Sequence, residues 1–272
     1  MARWINRHPS SAGRWTLAAL PFVLVLVVYG VGSSARQASN PDDKLLPSGA
    51  QLVASVQRLA FEPSRRTGEL VLWKDTATSM RLLLFGLLAS FVVALALGIV
   101  LGTLPYASAF GGAFLTALAM VPPLALLPIL FILFGLGDLS KVLLIAIGIT
   151  PAMARDLSQY VARLPREQLV KAQTLGASTT QIVMRVVLPQ ALPRAIENLR
   201  LALGAAWLFL IAAEAIAATD GLGYRIFLVR RYLAMDVILP YVLWITALAF
   251  LLDSALKWLS HWLFPWHRVA YT

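Results

Sequence analysis

The sequence contains no cysteine, and its three histidines (His8, His261 and His267) lie near the termini without the spacing of metal ligands. Disulfides, thiolate metal sites and cysteine nucleophiles are therefore excluded. No lysine follows a glycine, so the glycine-rich phosphate loop that ends in Gly-Lys is also absent. We expect no metal or other cofactor on this chain and no enzymatic activity of its own.

Charge is also scarce, since only 13% of the residues are charged, against about a quarter in an average soluble domain. Hydrophobic residues make up 59% of the chain, and they fall into blocks of about 17 to 25 residues, long enough to cross a bilayer as helices. The net charge of +10 is spread between these blocks and not gathered in one patch. It therefore indicates membrane topology and not nucleic-acid binding.

These blocks predict an all-α membrane protein with about six transmembrane helices. The first is interpreted as a retained span and not as a cleaved signal peptide, because its apolar stretch is long and the small residues after it make a weak cleavage site. The fourth has the shortest unbroken apolar run, and Pro105 to Ala109 is expected to form a tight hairpin between the second and third. The predicted spans are Trp15 to Val31, Met80 to Leu104, Phe110 to Phe134, Leu139 to Leu157, Leu199 to Ala218 and Val237 to Leu259.

The chain divides into an N-terminal tail with the first span (1–33), a periplasmic segment (34–77), a membrane core (78–266) and a C-terminal tail (267–272). Pro47 and Ser48 favour the start of an amphipathic helix in the periplasmic segment. A second short amphipathic helix is expected from Tyr224 to Met235, after the turn at 220–223. Positive charge only modestly favours a cytoplasmic N-terminus, and six spans then place both termini in the cytoplasm.

The loop at about 163–189 is the most specific segment of the sequence. Pro165 and Glu167 favour the start of a helix, on which Leu169, Ala172 and Leu175 are expected to share one face until Gly176 ends it. A second helix is predicted from the capping-box pattern that begins at Ser178. Because an exposed apolar helix face needs a partner groove, this helix-turn-helix segment, which we call the elbow, is expected to bind another protein.

The elbow resembles the coupling loop of binding-protein-dependent ABC permeases. That pattern reads Glu-Ala-Ala, three residues, Gly, nine residues, Ile, any residue, Leu-Pro. Val170 and Lys171 stand where the pattern has Glu and Ala, and Val186 stands for Ile. The residues that match it fully are Ala172, Gly176, Leu188 and Pro189.

Further ordered matches extend this resemblance from about Thr78 to Trp266 and are most similar to the branch that imports nitrate, sulfonates and taurine. They are Val121 to Pro128, Phe134 to Lys141, Ala213-Glu214 and Gly221 to Tyr224. The resemblance implies a type I ABC importer-like permease in the bacterial inner membrane that moves a small polar solute by alternating access. It also implies two ATPase subunits that carry ATP and Mg²⁺, a second permease copy and a periplasmic solute-binding protein. The ATPase-coupling residues are expected to be Glu167, Leu169, Lys171, Ala172, Leu175, Gly176, Ala177, Val186, Leu188 and Pro189.

Three alternatives remain open at this point. Permeases of the same branch for a neutral or cationic nitrogen compound, such as urea or guanidine, would carry the same motifs. A secondary transporter or channel would need no ATPase, but its typical inverted repeat is not visible in the sequence. A membrane scaffold that transports nothing is the third.

Candidate pathway residues are Glu214, Pro122 and Pro123. An ionisable group in an apolar span is costly unless it pairs, reaches water or is neutralised, so Glu214 either lines the pathway, forms a structural pair with an Arg of the outer helix, or is a protonated acid. Asp253 is expected to pair with Lys257 four residues further along its helix. Pro122 and Pro123 must interrupt the backbone hydrogen bonds of the third span, which either exposes carbonyl groups to a pathway or makes a packing kink.

The predicted topology is testable because the chain has no native cysteine. Cysteines introduced singly at Ser10, Ser64 and Ser178 should react with an impermeant thiol reagent added outside only at Ser64. Labelling of Ser178 from the periplasmic side would contradict both the orientation and the cytoplasmic position of the elbow.

Overall fold

The protein is described by a computed structural model over residues 10–40, 43–64 and 68–266, and all regular secondary structure in these ranges is helical. The α-helices are α1 (Ser11–Ser39), α2 (Gly49–Phe61), α3 (Val71–Thr103), α4 (Pro105–Leu118), α5 (Leu127–Phe134), α6 (Asp138–Ala162), α7 (Arg166–Thr174), α8 (Thr179–Ile182), α9 (Leu188–Ala217), α10 (Leu222–Arg230) and α11 (Met235–Leu263). A 3₁₀ turn (Pro123–Leu126) precedes α5, and a π-helical segment (Val183–Val187) joins α8 to α9. The all-α class predicted from the sequence is confirmed.

Four helices of the described residues are long and apolar enough to cross a membrane, namely α1, α3, α11 and the continuous helix Thr179–Ala217 formed by α8, the π segment and α9. The predicted third span is broken into α4 and α5, which together would make a fifth although they are bent by 85°. The predicted fourth span lies within α6, whose 25 residues reach about 37 Å at 1.5 Å per residue. Because Arg155 and Asp156 make α6 more polar than the others, the count of six stays a prediction.

An amphipathic helix forms after Ser48 as the sequence predicts, and a second short helix forms near the predicted Tyr224 to Met235 but ends at Arg230. Ser48 caps α2 through a complete capping box with Gln51, and the Ser55 hydroxyl of α2 donates to Asp236 at the start of α11 (2.6 Å). The second is α10, which begins at Leu222 directly after a turn at Gly221. The predicted hairpin is tighter than expected, because Pro105 is already the first residue of α4, a position in which proline loses no helical hydrogen bond.

Helix α6 lies at the centre of the core between α3 and α9. Three glycines of α3 let α6 approach closely, since a Cβ atom on any of them would lie within 2.7 Å of an α6 side chain: Gly86 against Ile145, Gly98 against Leu157 and Gly102 against Val161. Small residues at such crossings are typical of packing between transmembrane helices. This packing holds α6 against α3 along most of its length.

Helix α1 lies apart from this core, with most of its large apolar side chains exposed. It is attached at its C-terminal end, where the Tyr29 hydroxyl donates to the carbonyl of Pro47 (2.7 Å) and Arg36 pairs with Asp43. The Leu45 backbone N–H and the Arg36 guanidinium hold the pKa of Asp43 below its usual value. The segment 43–48 therefore anchors α1 to α2.

Candidate functional site

The elbow has the helix-turn-helix form that its sequence predicts. Helix α7 carries Glu167 in its first turn and Lys171 in its last, where each charge is favourable to the helix dipole. Gly176 follows with a φ of +79°, a conformation that costs glycine no steric strain. The helix end that the sequence predicts at Gly176 is therefore a left-handed turn.

Two backbone hydrogen bonds make this turn a Schellman cap. The Ala177 N–H donates to the carbonyl of Ala172 (3.0 Å), and the Gly176 N–H donates to that of Gln173 (2.9 Å). Together they satisfy carbonyls that the helix end would leave without partners. Since a Cβ atom on Gly176 would meet nothing within 4 Å, its special requirement is the backbone angle and not space.

The second arm of the elbow runs directly into the membrane. Ser178 forms the predicted capping box with Gln181, and the chain then passes through the π segment into α9. Pro189 has no N–H and lies in the first turn of α9, while the preceding Leu188 N–H donates to the carbonyl of Val183. This wider spacing joins α8 to α9 without a break at the proline.

One side of the elbow is fixed to the membrane core. Leu169, Ile182 and Leu188 pack against a cluster of buried side chains from α3, α6, α9 and the elbow itself: Ile99, Leu157, Val161, Leu164, Val187, Ala191 and Ala195. The Gln190 amide of α9 donates to Gln168 of α7 (3.0 Å) and ties the two arms together. A movement of the elbow therefore acts on three membrane helices at once.

The other side of the elbow is exposed and partly apolar. Leu175 is 87% exposed, and Val170 and Met184 are also exposed. The sequence placed Leu175 on the same face as Leu169 and Ala172, but Leu175 lies beyond the last residue of α7, and the turn directs it outward. Ala172, Ala177, Val186 and Pro189 are half-buried. The role of the ten coupling residues in ATPase binding stays a prediction.

The candidate pathway residues Pro122 and Pro123 lie at the 85° bend between α4 and α5. Neither proline has an N–H, so the carbonyls of Leu118 and Ala119 lose the donors that a continuous helix would give them. The carbonyl of Leu118 instead accepts a hydrogen bond from the Val121 N–H (3.2 Å). Met120, Val121 and Pro122 are exposed in the single chain, and non-helical backbone at membrane depth requires protein or water beside it.

Glu214, the third candidate, is fully buried in α9. Both of its carboxylate oxygens accept hydrogen bonds, one from the Ser79 hydroxyl of α3 (2.6 Å) and one from the Gly223 N–H of α10 (2.8 Å). At Gly221, with a φ of +115°, a Cβ atom would lie 2.7 Å from the Glu214 carboxylate. The turn at 221–223 therefore closes over this side chain.

An arginine of the outer helix forms an ion pair here, but with a residue that the sequence did not single out. Arg225 Nε donates to Asp75 Oδ2 (2.8 Å), and Asp75, with 0% exposure, also accepts from the Tyr241 hydroxyl (2.9 Å) and the Gly221 N–H (3.1 Å). Asp75 and Arg225 are 150 residues apart in the chain. Helix packing brings the two residues together, so the sequence alone does not predict this pair. The signal that the sequence did offer was a carboxylate near the start of an apolar helix.

Two ion pairs anchor α9 farther along its length. Arg200 holds Asp253 of α11 through two hydrogen bonds of 2.8 and 2.9 Å, so the predicted partner of Asp253, Lys257, is replaced by a residue of another helix. Arg194 holds Asp156 of α6 in the same way, with both distances at 2.9 Å. The hydrogen bonds of Glu214 to Ser79 and Gly223 do not involve the bend that contains Pro122 and Pro123.

Replacing Glu214 by glutamine tests the structural role that these contacts indicate. The Glu214→Gln carbonyl can still accept from the Gly223 N–H, but the N–H₂ then faces the Ser79 hydroxyl, which must give up the hydrogen bond that it donates to Glu214 and turn its hydrogen elsewhere. We expect this mismatch to lower the free energy of unfolding by about 1–3 kcal/mol, measured as reduced thermal stability of the purified protein.

The matched control is Glu69→Gln, since the Glu69 side chain is 48% exposed and a surface pair contributes little. A Glu214→Gln variant as stable as the unmodified protein that nevertheless loses transport would contradict the structural role and support a pathway role.

Comparison with known proteins places these features in a family. The sequence profile of binding-protein-dependent transport system inner membrane components matches residues 94–269. The taurine transport system permease protein TauC of Escherichia coli is 38% identical over 72% of this chain and 71% of its own length. The putative aliphatic sulfonates transport permease protein SsuC of the same organism is 30% identical over 93% and 94%. The bicarbonate transport system permease protein CmpB of Synechococcus elongatus is 29% identical over 71% and 69%.

A solved structure has the same fold. A chain of the methionine ABC transporter MetNI in an inward-facing conformation superposes with a TM-score of 0.62 at 20% sequence identity, covering 71% of this chain and 95% of that one. This likeness shows the type I ABC importer permease fold predicted from the sequence. The chain therefore belongs to the family of binding-protein-dependent transport system inner membrane components and is a multi-pass permease of the ABC importer class.

Proposed function

We propose that this permease receives a small sulfonate-type solute, such as taurine, from a periplasmic binding protein and passes it to the cytoplasm by alternating access, driven by two ATPase subunits. The observation that carries the proposal is the construction of the elbow. Its exposed side offers Val170, Leu175 and Met184 to a partner, while its second arm is continuous with α9. A partner that moves the elbow therefore moves a membrane helix.

The reach of that helix supports a mechanical role. Thr179–Ala217 is 39 residues long, or about 58 Å at 1.5 Å per residue, and its outer end holds the turn at 221–223 through Glu214. A tilt imposed at the elbow is transmitted to the outer surface without a flexible joint. ATP and Mg²⁺ would be bound by the ATPase and not by this chain.

The substrate class follows from the named relatives. TauC and SsuC are described as permeases for taurine and for aliphatic sulfonates, and the first is 38% identical to this chain. A sulfonate-type solute is therefore the proposal, and urea and guanidine are the competing solutes. A second copy of this chain would complete the pathway, in the bacterial inner membrane with both termini in the cytoplasm.

Reconstitution tests the proposal directly. Proteoliposomes that contain the permease, its ATPase and its binding protein should accumulate radiolabelled taurine only when ATP is supplied, and not urea or guanidine. Uptake without ATP or without the ATPase would contradict the ABC mechanism, and uptake of urea or guanidine in place of taurine would contradict the substrate class.

The turn at Gly176 supplies a mutational test of coupling. In Gly176→Val a β-branched residue must adopt a positive φ, at a cost of about 1–3 kcal/mol, and tilting α7 away from its partner relieves this strain. We expect ATPase binding to weaken by roughly 5- to 150-fold while membrane insertion is unchanged, measured by co-purification and by taurine uptake in the same proteoliposomes.

Gly176→Asn is the matched control, because asparagine tolerates the left-handed conformation better than other non-glycine residues and nothing lies within 4 Å of the new Cβ atom. It should keep most of the uptake. Full uptake by Gly176→Val would remove the turn from the coupling mechanism.

A further inference from the structure

A cavity of about 310 Å³ lies between α6 and α9, apart from the buried carboxylate of Glu214. Small residues of both helices leave this space, namely Gly148 and Ala152 on α6 with Ala202 and Ala205 on α9. A water molecule takes about 30 Å³ of liquid, so the cavity has room for a small organic solute. One end of it is polar.

The polar end is formed by the Asp156–Arg194 pair. Its two hydrogen bonds of 2.9 Å are parallel, and the Asp156 and Arg194 side chains remain 43% and 30% exposed. Charged groups on a membrane helix avoid lipid and face protein or water. The cavity therefore belongs to a hydrated or protein-covered face and not to the lipid surface.

A buried donor without a partner lies at the same place. Asn198 is 6% exposed and lines the cavity, yet its Nδ2 atom has no acceptor in hydrogen-bonding geometry, although the side chain lies near the Asp156 carboxylate. Buried amide groups rarely remain unpaired, and each one needs an explanation. A bound solute that supplies an acceptor oxygen would satisfy it.

We infer that this cavity is a solute-binding station within the permease and that it takes a small zwitterion with a sulfonate at one end and an ammonium group at the other. The sulfonate would bind Arg194 and the Asn198 amide, and the ammonium group would bind Asp156. The inference rests on the proposed transport of sulfonate-type solutes and specifies the site and the charge of the solute.

The ion pair explains why a zwitterion fits better than a simple anion. Without solute, Asp156 and Arg194 neutralise each other, and the Glu197 carboxylate lies 3.5 Å from the other side of Arg194. An anion that opens the pair leaves Asp156 without its partner, which is costly at low dielectric. A zwitterion replaces one ion pair by two, so both charges stay compensated.

The cavity runs along α6 from Asp156 to Gly148, a distance of eight residues, or about 12 Å. At Gly148 it ends against Phe209, because a Cβ atom on Gly148 would lie 2.4 Å from the Phe209 ring and 3.2 Å from the Pro123 Cβ. Pro123 is therefore a neighbour of this end of the cavity and not part of its lining.

Taurine and isethionate form a matched pair of probes, because they differ only in an ammonium group against a hydroxyl. Equilibrium binding of each radiolabelled solute to the permease, purified with its ATPase in nanodiscs without the binding protein, should show about tenfold tighter binding of taurine. Asp156→Asn should abolish this preference by weakening taurine alone. Asn198→Ala should weaken both solutes by about tenfold, since both present a sulfonate to the lost donor.

Thr246→Ala on the exposed side of α11 is the control and should change neither affinity. If Asp156→Asn does not assemble, two other variants test the inference. Asn198→Ala alters no charge, and Ala202→Leu should reduce binding of both solutes because it fills the cavity. Equal binding of both solutes by the unmodified protein, or unchanged binding in Asn198→Ala, overturns the inference.

The two proposals fail separately. If the unmodified permease accumulates taurine in complete proteoliposomes but binds neither solute in nanodiscs, the station is wrong and the proposed function stands. If complete proteoliposomes do not accumulate taurine, the proposed substrate class is wrong.

Discussion

The structure depends on one constraint, which is that each ionisable group on a membrane helix must find a partner. Helix α9 satisfies this constraint at three positions along its length. Arg194 holds Asp156 of α6 and Arg200 holds Asp253 of α11, while Glu214 at the outer end holds the turn before α10. Because each partner belongs to a different element, these contacts fix α9 in register with most of the membrane core.

In the proposed mechanism, α9 is the element through which the two surfaces of the protein are coupled. One of its ends continues into the elbow, and the other supports a turn that also contacts Asp75 of α3. The π segment carries the helix past Pro189, and we expect a movement of the elbow to tilt the whole helix. The cavity beside Asn198 lies along the same helix, where such a tilt would change its shape.

The sequence predicted the features that neighbouring residues determine. A capping-box pattern at Ser178 and a glycine after an amphipathic stretch at Gly176 specify their own geometry, and both form as expected. The sequence did not predict the partners of Asp75 and Asp253, because Arg225 and Arg200 are brought to them only by helix packing. The sequence also did not predict that Leu175 is exposed. Leu175 lies beyond the last residue of α7, and the turn directs its side chain outward.

The most direct test of this account is the movement of both ends of α9 in one experiment. Spin labels at Ser178→Cys report the elbow and labels at Thr219→Cys report the outer turn, in a chain with no other cysteine. Double electron–electron resonance between two copies, assembled with the ATPase, should show the Ser178 distance shortening on ATP binding while the Thr219 distance lengthens. Shortening at Ser178 with no change at Thr219 would contradict a rigid α9.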